Sequence, residues 1–459
     1  MRWRWPPLAT LVRIEPAAKL RAGRAVKKMM TRWRTDGATR RNVAAALALL
    51  LAAITLNAVR AESPLAVSRG FSREGLARIE DYFRNEITSG KIPGAVLLIQ
   101  QHGQPVLFES FGVRDVDSKR PMTADTIFRL YSMSKAITSV TAMMLVDDGK
   151  LSLDDPVSKF IPAFADVKVG VEKRDGNGKV GLVSEPANRP IRIEDLLRHT
   201  SGLTYGFNGD SPVRKLYANS DLFDGDFDNA LFAERLAKLP LAEQPGTLWD
   251  YGHSTDVLGR VIEIVSGQSL FQFEKERLLD PLGMTETAFY LADDAKRPLV
   301  AEPLPADRFK GPIAGIRDPI VPRRWESGGA GMVGTTGDYG RFAQMLLNGG
   351  SLEGRRYLKP ETVALMTSDH VGPEMNIVRD HDYFPGETSG FGLGFAVRTA
   401  APANTSWPTG EYGWDGAGGT FFFIDPKDDV FAILMMQSPS QRERIKSELK
   451  ARLYQALGK

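Results

Sequence analysis

Phe128-Arg129-Leu130-Tyr131-Ser132-Met133-Ser134-Lys135-Ala136-Ile137-Thr138-Ser139 is the most informative stretch of this chain. A serine followed three residues later by a lysine at a helix start places both side chains on one face, one turn apart. A serine hydroxyl is a poor nucleophile without a base. A lysine amine can serve once burial and the positive helix N-terminus disfavour its proton. The apolar run after Lys135, from Ala136-Ile137 to Met143-Met144-Leu145, offers that burial.

Ser-x-x-Lys alone is a weak signal, and the chain carries its own control. Ser447-Glu448-Leu449-Lys450 has the same spacing but lies among Arg442, Glu443, Arg444 and Lys446. That reads as a helix with a solvated face and nothing to desolvate the lysine. Two further segments lift the first match. Pro245-Gly246-Thr247-Leu248-Trp249-Asp250-Tyr251-Gly252-His253-Ser254 precedes an apolar-periodic helix, Asp256 to Val265. Tyr251 thus sits in a loop from which a phenol can project into a cleft. Beside an ammonium, a phenol exchanges protons more readily. Tyr412-Gly413-Trp414-Asp415-Gly416-Ala417-Gly418-Gly419 reads as a Gly-rich edge strand. Missing side chains there would let a substrate carbonyl approach backbone N–H groups.

These three segments, in this order, resemble the serine hydrolases of the β-lactamase/penicillin-binding fold, and most of all the class C-like esterase branch. Leu196-Leu197-Arg198-His199-Thr200-Ser201-Gly202-Leu203, Ser327 to Val333 with Asp338-Tyr339, Gly392-Leu393-Gly394 and Ile424 to Lys427 look like that family too. The likeness runs from about Phe71 to Leu457. It implies an α/β (α+β) architecture, an antiparallel sheet built from both chain ends and flanked by helices, with a mainly helical lobe inserted. The sheet lobe would span about 66–150 and 356–459, and the helical lobe about 151–355. The resemblance makes Ser132 the acylated nucleophile, Lys135 its base or proton partner, and Tyr251 the general base and acid. Trp414-Asp415-Gly416 would match the third motif, with the N–H groups of Ser132 and Ala417 as oxyanion hole.

Two positions depart from the β-lactamase pattern. His253 replaces the asparagine of Tyr-x-Asn, so an imidazole stands where an amide orients the lysine. Trp414 and Asp415 replace the cation and hydroxyl of Lys-Thr-Gly, which meet the antibiotic's carboxylate. Asp415 would repel an anion if it faced the cleft. The resemblance and these departures together point to a carboxylesterase on small neutral esters. A β-lactamase or D-amino-acid peptidase of the same fold is the alternative. A non-catalytic binder of cell-wall peptides is the alternative of another class, disfavoured by the intact Ser132, Lys135 and Tyr251.

Elements on either side fit this frame. Ser72 to Ser89 reads as an amphipathic helix, Gly94 to Gln101 as a buried strand, and Val106 to Phe111 as its return. Ser134 to Asp147 reads as a helix, and Val167 to Arg189 as a polar surface excursion. Strands return at Phe391 to Val397, Thr420 to Ile424 and Val430 to Met436, before a closing helix from Lys446 to Leu457.

Composition excludes much else. With 42% hydrophobic residues the chain is neither disordered nor polytopic. Having no Cys rules out disulfides, thiolate metal sites and a cysteine nucleophile. No Gly-x-Ser-x-Gly elbow occurs, which argues against an α/β-hydrolase triad. His199 reads as structural. His370 and His381, with Asp369, Asp380 and Asp382, lack zinc-protease spacing, so neither a metal nor an organic cofactor is expected. Tyr205, Trp325 and Phe391 read as core residues near a cleft.

The net charge of +3 is a sum of two unlike parts. Residues 1–61 carry 13 Lys or Arg against 2 Asp or Glu, and residues 62–459 carry 46 against 54. A leader near +11 therefore precedes a body near −8, which argues against nucleic-acid binding by the body. Val43 to Leu56 has the length of a signal-peptide apolar core, shorter than the roughly 20 residues of a membrane span. Val59-Arg60-Ala61 allows cleavage after Ala61, so the body is expected outside the cytoplasm. Membrane contact would come only through an uncleaved leader, and the expected partner is a small ester or amide substrate.

A direct comparison tests the control motif. Ser132→Ala should abolish turnover with stability nearly unchanged, whereas Ser447→Ala should leave activity intact. Loss of activity in the second variant would overturn the reading of Ser447 as a surface residue.

Overall fold

The large sheet is built from two distant parts of the chain. Its strands are β1 (Gly94–Gln101), β2 (Gln104–Asp115), β3 (Arg120–Pro121), β4 (Ser389–Phe391), β5 (Ala396–Arg398), β6 (Tyr412–Asp415), β7 (Phe421–Asp425) and β8 (Val430–Met436). They pair antiparallel in the order β4-β5-β6-β7-β8-β1-β2-β3. This computed structural model describes residues 70–459 apart from 175, 177, 179, 224–225, 310–318, 320 and 380–382. The leader and export signal read in residues 1–61, and Asp380, His381 and Asp382, lie outside the described residues. Among the described residues, no helix is long and apolar enough to cross a membrane.

Why the central strands are apolar throughout follows from what covers them. Every residue of β1 and β8 is buried. Along β8, Val430, Ala432, Leu434 and Met436 face a cluster formed with α1 (Arg73–Thr88) and α5 (Arg442–Ala456). The alternate residues Phe431, Ile433 and Met435 join the main core with α2 (Ser134–Asp147), α3 (Ser254–Ser266) and α4 (Thr336–Leu347). With both faces covered, strand alternation between apolar and polar residues disappears.

Most elements fall where the sequence places them. Ser72 caps α1, its side chain accepting from the Gly75 N–H at 3.0 Å. Three elements differ. Phe391 to Val397 is two short strands, β4 and β5, because Gly394 takes a φ of +101° and turns the chain against Ser139 of α2. Val167 to Arg189, read as a polar surface excursion, is largely exposed and holds a hairpin, Lys168–Arg174 with Val180–Pro186. Buried Val169 and partly buried Val171 and Leu182 anchor it, a short apolar signal diluted by Gly and Lys. The closing helix begins at Arg442, a full turn before Lys446.

Gly75 lets the first and last helices cross closely. A Cβ there would sit 2.5 Å from Ala456 Cβ and 2.7 Å from its Cα. Gly75→Ala should therefore cost about 1–3 kcal/mol by overpacking, despite a better helix propensity. Ala456→Gly in the same chain should restore part of that loss. Thermal unfolding of the three variants checks this; a more stable Gly75→Ala would refute it.

Candidate active site

Ser132 stands on a constrained turn. Phe128–Arg129 pairs with Val333–Gly334, and the Leu130 N–H bonds to the Met332 carbonyl at 2.9 Å. Tyr131 then adopts a left-handed φ of +47°, a conformation that costs a non-glycine residue about 1–3 kcal/mol. Its ring packs on Gly418, where a Cβ would come within 2.7 Å. Ser132 occupies the single 3-10 turn Tyr131–Met133, and α2 begins immediately at Ser134. The Tyr339 hydroxyl donates to the Met133 carbonyl at 3.1 Å and fixes the turn from below.

Lys135 is 2% exposed and fully engaged. Its Nζ lies 2.7 Å from the Gly329 carbonyl, 3.2 Å from the Tyr205 hydroxyl and 3.4 Å from Ser132 Oγ. It also sits 4.5 Å from the Tyr251 ring centroid. Burial pushes the Tyr205 phenol well above its ordinary range, so it stays protonated. Tyr251 accepts a hydrogen bond on its hydroxyl from the Trp414 indole at 3.1 Å. Behind it, the His199 ring packs 4.8 Å away. Burial and then the Lys135 charge push His199 well below its usual range, leaving a neutral imidazole with Nδ1 unpartnered. That is the structural role read for it.

The arrangement resolves the two departures differently from the sequence reading. His253 does not reach Lys135. Its Nδ1 meets Asp256 at 3.1 Å, and its ring is packed against Tyr205, Phe223 and Phe232. Asp256 in turn accepts from Ser327 Oγ at 2.6 Å and from the Gly329 N–H at 3.2 Å. Burial raises the Asp256 carboxyl, but His253, Lys135 and Ser327 together hold it below the usual carboxylate range. Thus His253 is linked through Asp256 to Gly329, the residue whose carbonyl holds Lys135. Sequence reasoning left Asp256 as an ordinary helix residue and Gly329 as part of a Gly-rich turn; the Ser327–Val333 likeness was their only signal.

At the third motif, Asp415 is ion-paired with Lys446 of α5. The charge expected to repel an anion is therefore locally cancelled, by a residue 31 positions away. Tyr412–Asp415 is also not an edge strand: β5 pairs with Tyr412 and Gly413, and only Trp414 and Asp415 extend past it. Nor do its glycines open room for substrate. A Cβ on Gly416 would meet Thr420 Oγ1 at 2.2 Å and the Leu130 carbonyl at 2.3 Å, so the glycine brings this turn onto the nucleophile segment. Lys450 corrects the control motif in part. It is partly buried against Phe421 and Phe423 and paired with Glu411, and desolvation pushes its ammonium down. The expectation that nothing desolvates it was wrong, because the helix face turned inward is this one. Ser447 is exposed, and no hydrogen bond joins it to Lys450 among the described residues.

One cavity of about 630 Å³ gathers Ser132, Tyr251, Trp414, Asp415 and Ala417 along its wall, the size of a small-molecule site. Lys135, His253 and Gly416 stand behind that wall. Tyr205 lines the cavity, whereas Trp325 stacks on Phe232 and Phe391 packs behind Trp414. His370 bonds to the Leu365 carbonyl and Asp369 pairs with Arg379. Among the described residues, no group of three or more His, Asp or Glu is placed to hold a metal ion.

The Asp256 link has a measurable consequence. Asp256→Asn should lower kcat about 10- to 100-fold through misplacement of Lys135, with a smaller change in KM. Unchanged kcat in a folded variant would make Asp256 a packing residue only.

A family model described as beta-lactamase matches residues 79–455. Esterase EstB of Burkholderia gladioli is 32% identical over 372 residues, 76% of this chain and 87% of its own. The lovastatin esterase of Penicillium rubens is 34% identical over 302 residues, 64% of this chain and 72% of its own. Among solved structures, EstCE1, a hydrolase with promiscuous acyltransferase activity, matches with TM-score 0.70 at 29% identity, covering 83% of this chain and 99% of its own. The simvastatin synthase LovD of Aspergillus terreus matches with TM-score 0.67 at 25% identity, over 83% of this chain and 98% of its own. Strands from both chain ends, the helices that cover them and this match over most of the chain lead to one conclusion: the chain belongs to the beta-lactamase family and has the fold of its serine hydrolases.

Proposed function

We propose that the chain is a carboxylesterase that acts through an acyl-enzyme on Ser132 and favours small neutral esters. The observation that carries this reading is the buried Lys135 amine 3.4 Å from Ser132 Oγ, at a cavity shared with Tyr251. With Lys135 in its neutral amine form, Ser132 Oγ attacks the ester carbonyl and its proton passes to that amine. The oxyanion rests on the N–H groups of Ser132 and Ala417. Tyr251 returns a proton to the departing alkoxide, and the alcohol leaves. Water, deprotonated by Tyr251, attacks the acyl carbon, and Ser132 recovers its proton as the acid is released. The Trp414 indole donor supports negative charge on the Tyr251 oxygen as it moves protons. The site residues hold no set suited to a metal, and this chemistry calls for no cofactor.

Preference for neutral substrates rests on pairing rather than on repulsion by Asp415. Arg398 and Lys450 share Glu411, Lys446 holds Asp415 and Glu443, and Arg442 meets Glu443. Each of these four cations already meets a carboxylate, so a substrate carboxylate would compete with Glu411, Asp415 or Glu443 for its place. Similarity to EstCE1 and LovD supports a second reading, transfer of the acyl group to an alcohol in place of water. The leader in residues 1–61 supports work outside the cytoplasm.

A panel of substrates tests this. A short-chain p-nitrophenyl ester should exceed a chromogenic cephalosporin in kcat/KM by about 10- to 100-fold, the scale of one lost contact to a charged group. A fluorophosphonate should label Ser132. Preference for the cephalosporin would favour the β-lactamase alternative, and a folded protein that resists labelling would favour a non-catalytic binder.

A further inference from the structure

The cavity at Ser132 has an unusual apolar lining. Phe207 stacks on Tyr205 with ring centroids 4.8 Å apart and planes at 16°. Tyr205 meets Tyr251 edge to face at 5.5 Å, and Tyr251 meets Phe384 the same way at 5.7 Å. Four rings thus form a continuous row with Tyr251 inside it. The inner two are 5% and 9% exposed, whereas the end members Phe207 and Phe384 are 51% and 54% exposed. All four line the cavity. Among the described residues, no Leu, Ile, Val or Met side chain lines it, and its aliphatic lining stops at Ala330, Pro385, Ala396 and Ala417.

Half-exposed phenylalanines at a cavity wall are apolar surface held in water, and a ligand that covers them recovers that cost. Any apolar group recovers area. A ring gains more against other rings, because edge-to-face and offset contacts match positive edges with negative faces. A wall of rings with so little aliphatic surface therefore distinguishes an aryl group from a saturated one of equal size.

We propose that the row Phe207–Tyr205–Tyr251–Phe384 is a binding site for an aromatic ring of the substrate, so that the preferred esters carry an aryl group close to the scissile bond. This inference rests on the acyl-enzyme reading of Ser132. Its geometry leaves the ring on either the acyl or the alcohol side, and matched substrates separate the two. Benzyl butanoate against cyclohexylmethyl butanoate reports the alcohol side. Ethyl phenylacetate against ethyl cyclohexylacetate reports the acyl side.

The full-length protein should favour the aryl member of at least one pair by about three- to tenfold in kcat/KM, the range of an aromatic pair contact. Phe207→Leu and Phe384→Leu keep an apolar side chain and remove the ring. Both positions are half exposed, so both variants should keep the wild-type melting temperature, and in each the aryl preference should fall toward unity. Ratios near one in the wild type, with all four esters hydrolysed, would overturn the ring site and leave the esterase reading standing. A preference that persists in both Leu variants would also overturn it. Failure to hydrolyse any of the esters, together with an unlabelled Ser132, would instead remove the esterase reading on which the site rests.

Discussion

A lysine with almost no exposed surface imposes the plan of this site. Burying an amine without partners costs several kcal/mol, so every donor position of Lys135 has to be met. The Gly329 carbonyl, the Tyr205 hydroxyl and Ser132 Oγ meet them, and the Tyr251 ring covers the remaining side. These partners come from four separate parts of the chain. Three of them are themselves fixed by something else: Gly329 by Asp256, Tyr251 by Trp414, and Ser132 by the left-handed Tyr131. Under the proposed acyl-enzyme reading, precise placement of Ser132 against Lys135 is worth several orders of magnitude in rate, and such a rigid surround suits it.

The split of the sheet between chain ends follows from the same demand. Ser132 lies on the turn that leads into α2 and Lys135 in its first turn, after β1 to β3, while Trp414 and Ala417 lie at the end of β6 and beyond it. Only a sheet in which β8 returns beside β1 brings the two together. Gly416 and Gly418 complete the approach by removing the side chains that would hold the β6 turn away from Leu130 and Tyr131. The glycines that read as room for substrate are contact points between two parts of the protein. Space for substrate lies on the other side of that turn.

What was legible in the sequence was local. The Ser132–Lys135 spacing, the loop position of Tyr251 and the bounds of α2, β1 and β8 follow from periodicity and turn residues within a few positions. What was not legible depends on contacts across hundreds of residues. Asp415 reads as an uncompensated acid until Lys446 is folded beside it. Lys450 reads as solvated until Glu411, Phe421 and Phe423 enclose it. His253 stands at the expected place in the second motif, yet its ring turns to Asp256 because four aromatic neighbours leave it no path to Lys135. Side-chain direction at a helix start is set by tertiary packing, and a motif records only the position.

Helix α5 shows how closely fold and site are joined. Its buried face, Ile445, Leu449 and Leu453, packs beneath β7 and β8 with α1. One turn aside, Lys446 and Lys450 reach the cavity wall and pair with Asp415 and Glu411 of the sheet segment that carries Trp414. These pairs are partly buried and add little net stability. Breaking one leaves a partly desolvated charge without its partner, so the pairs resist sliding of α5 along β6. The helix that closes the hydrophobic core therefore also holds Trp414 against Tyr251, and the charged wall of the cavity is the seam between them.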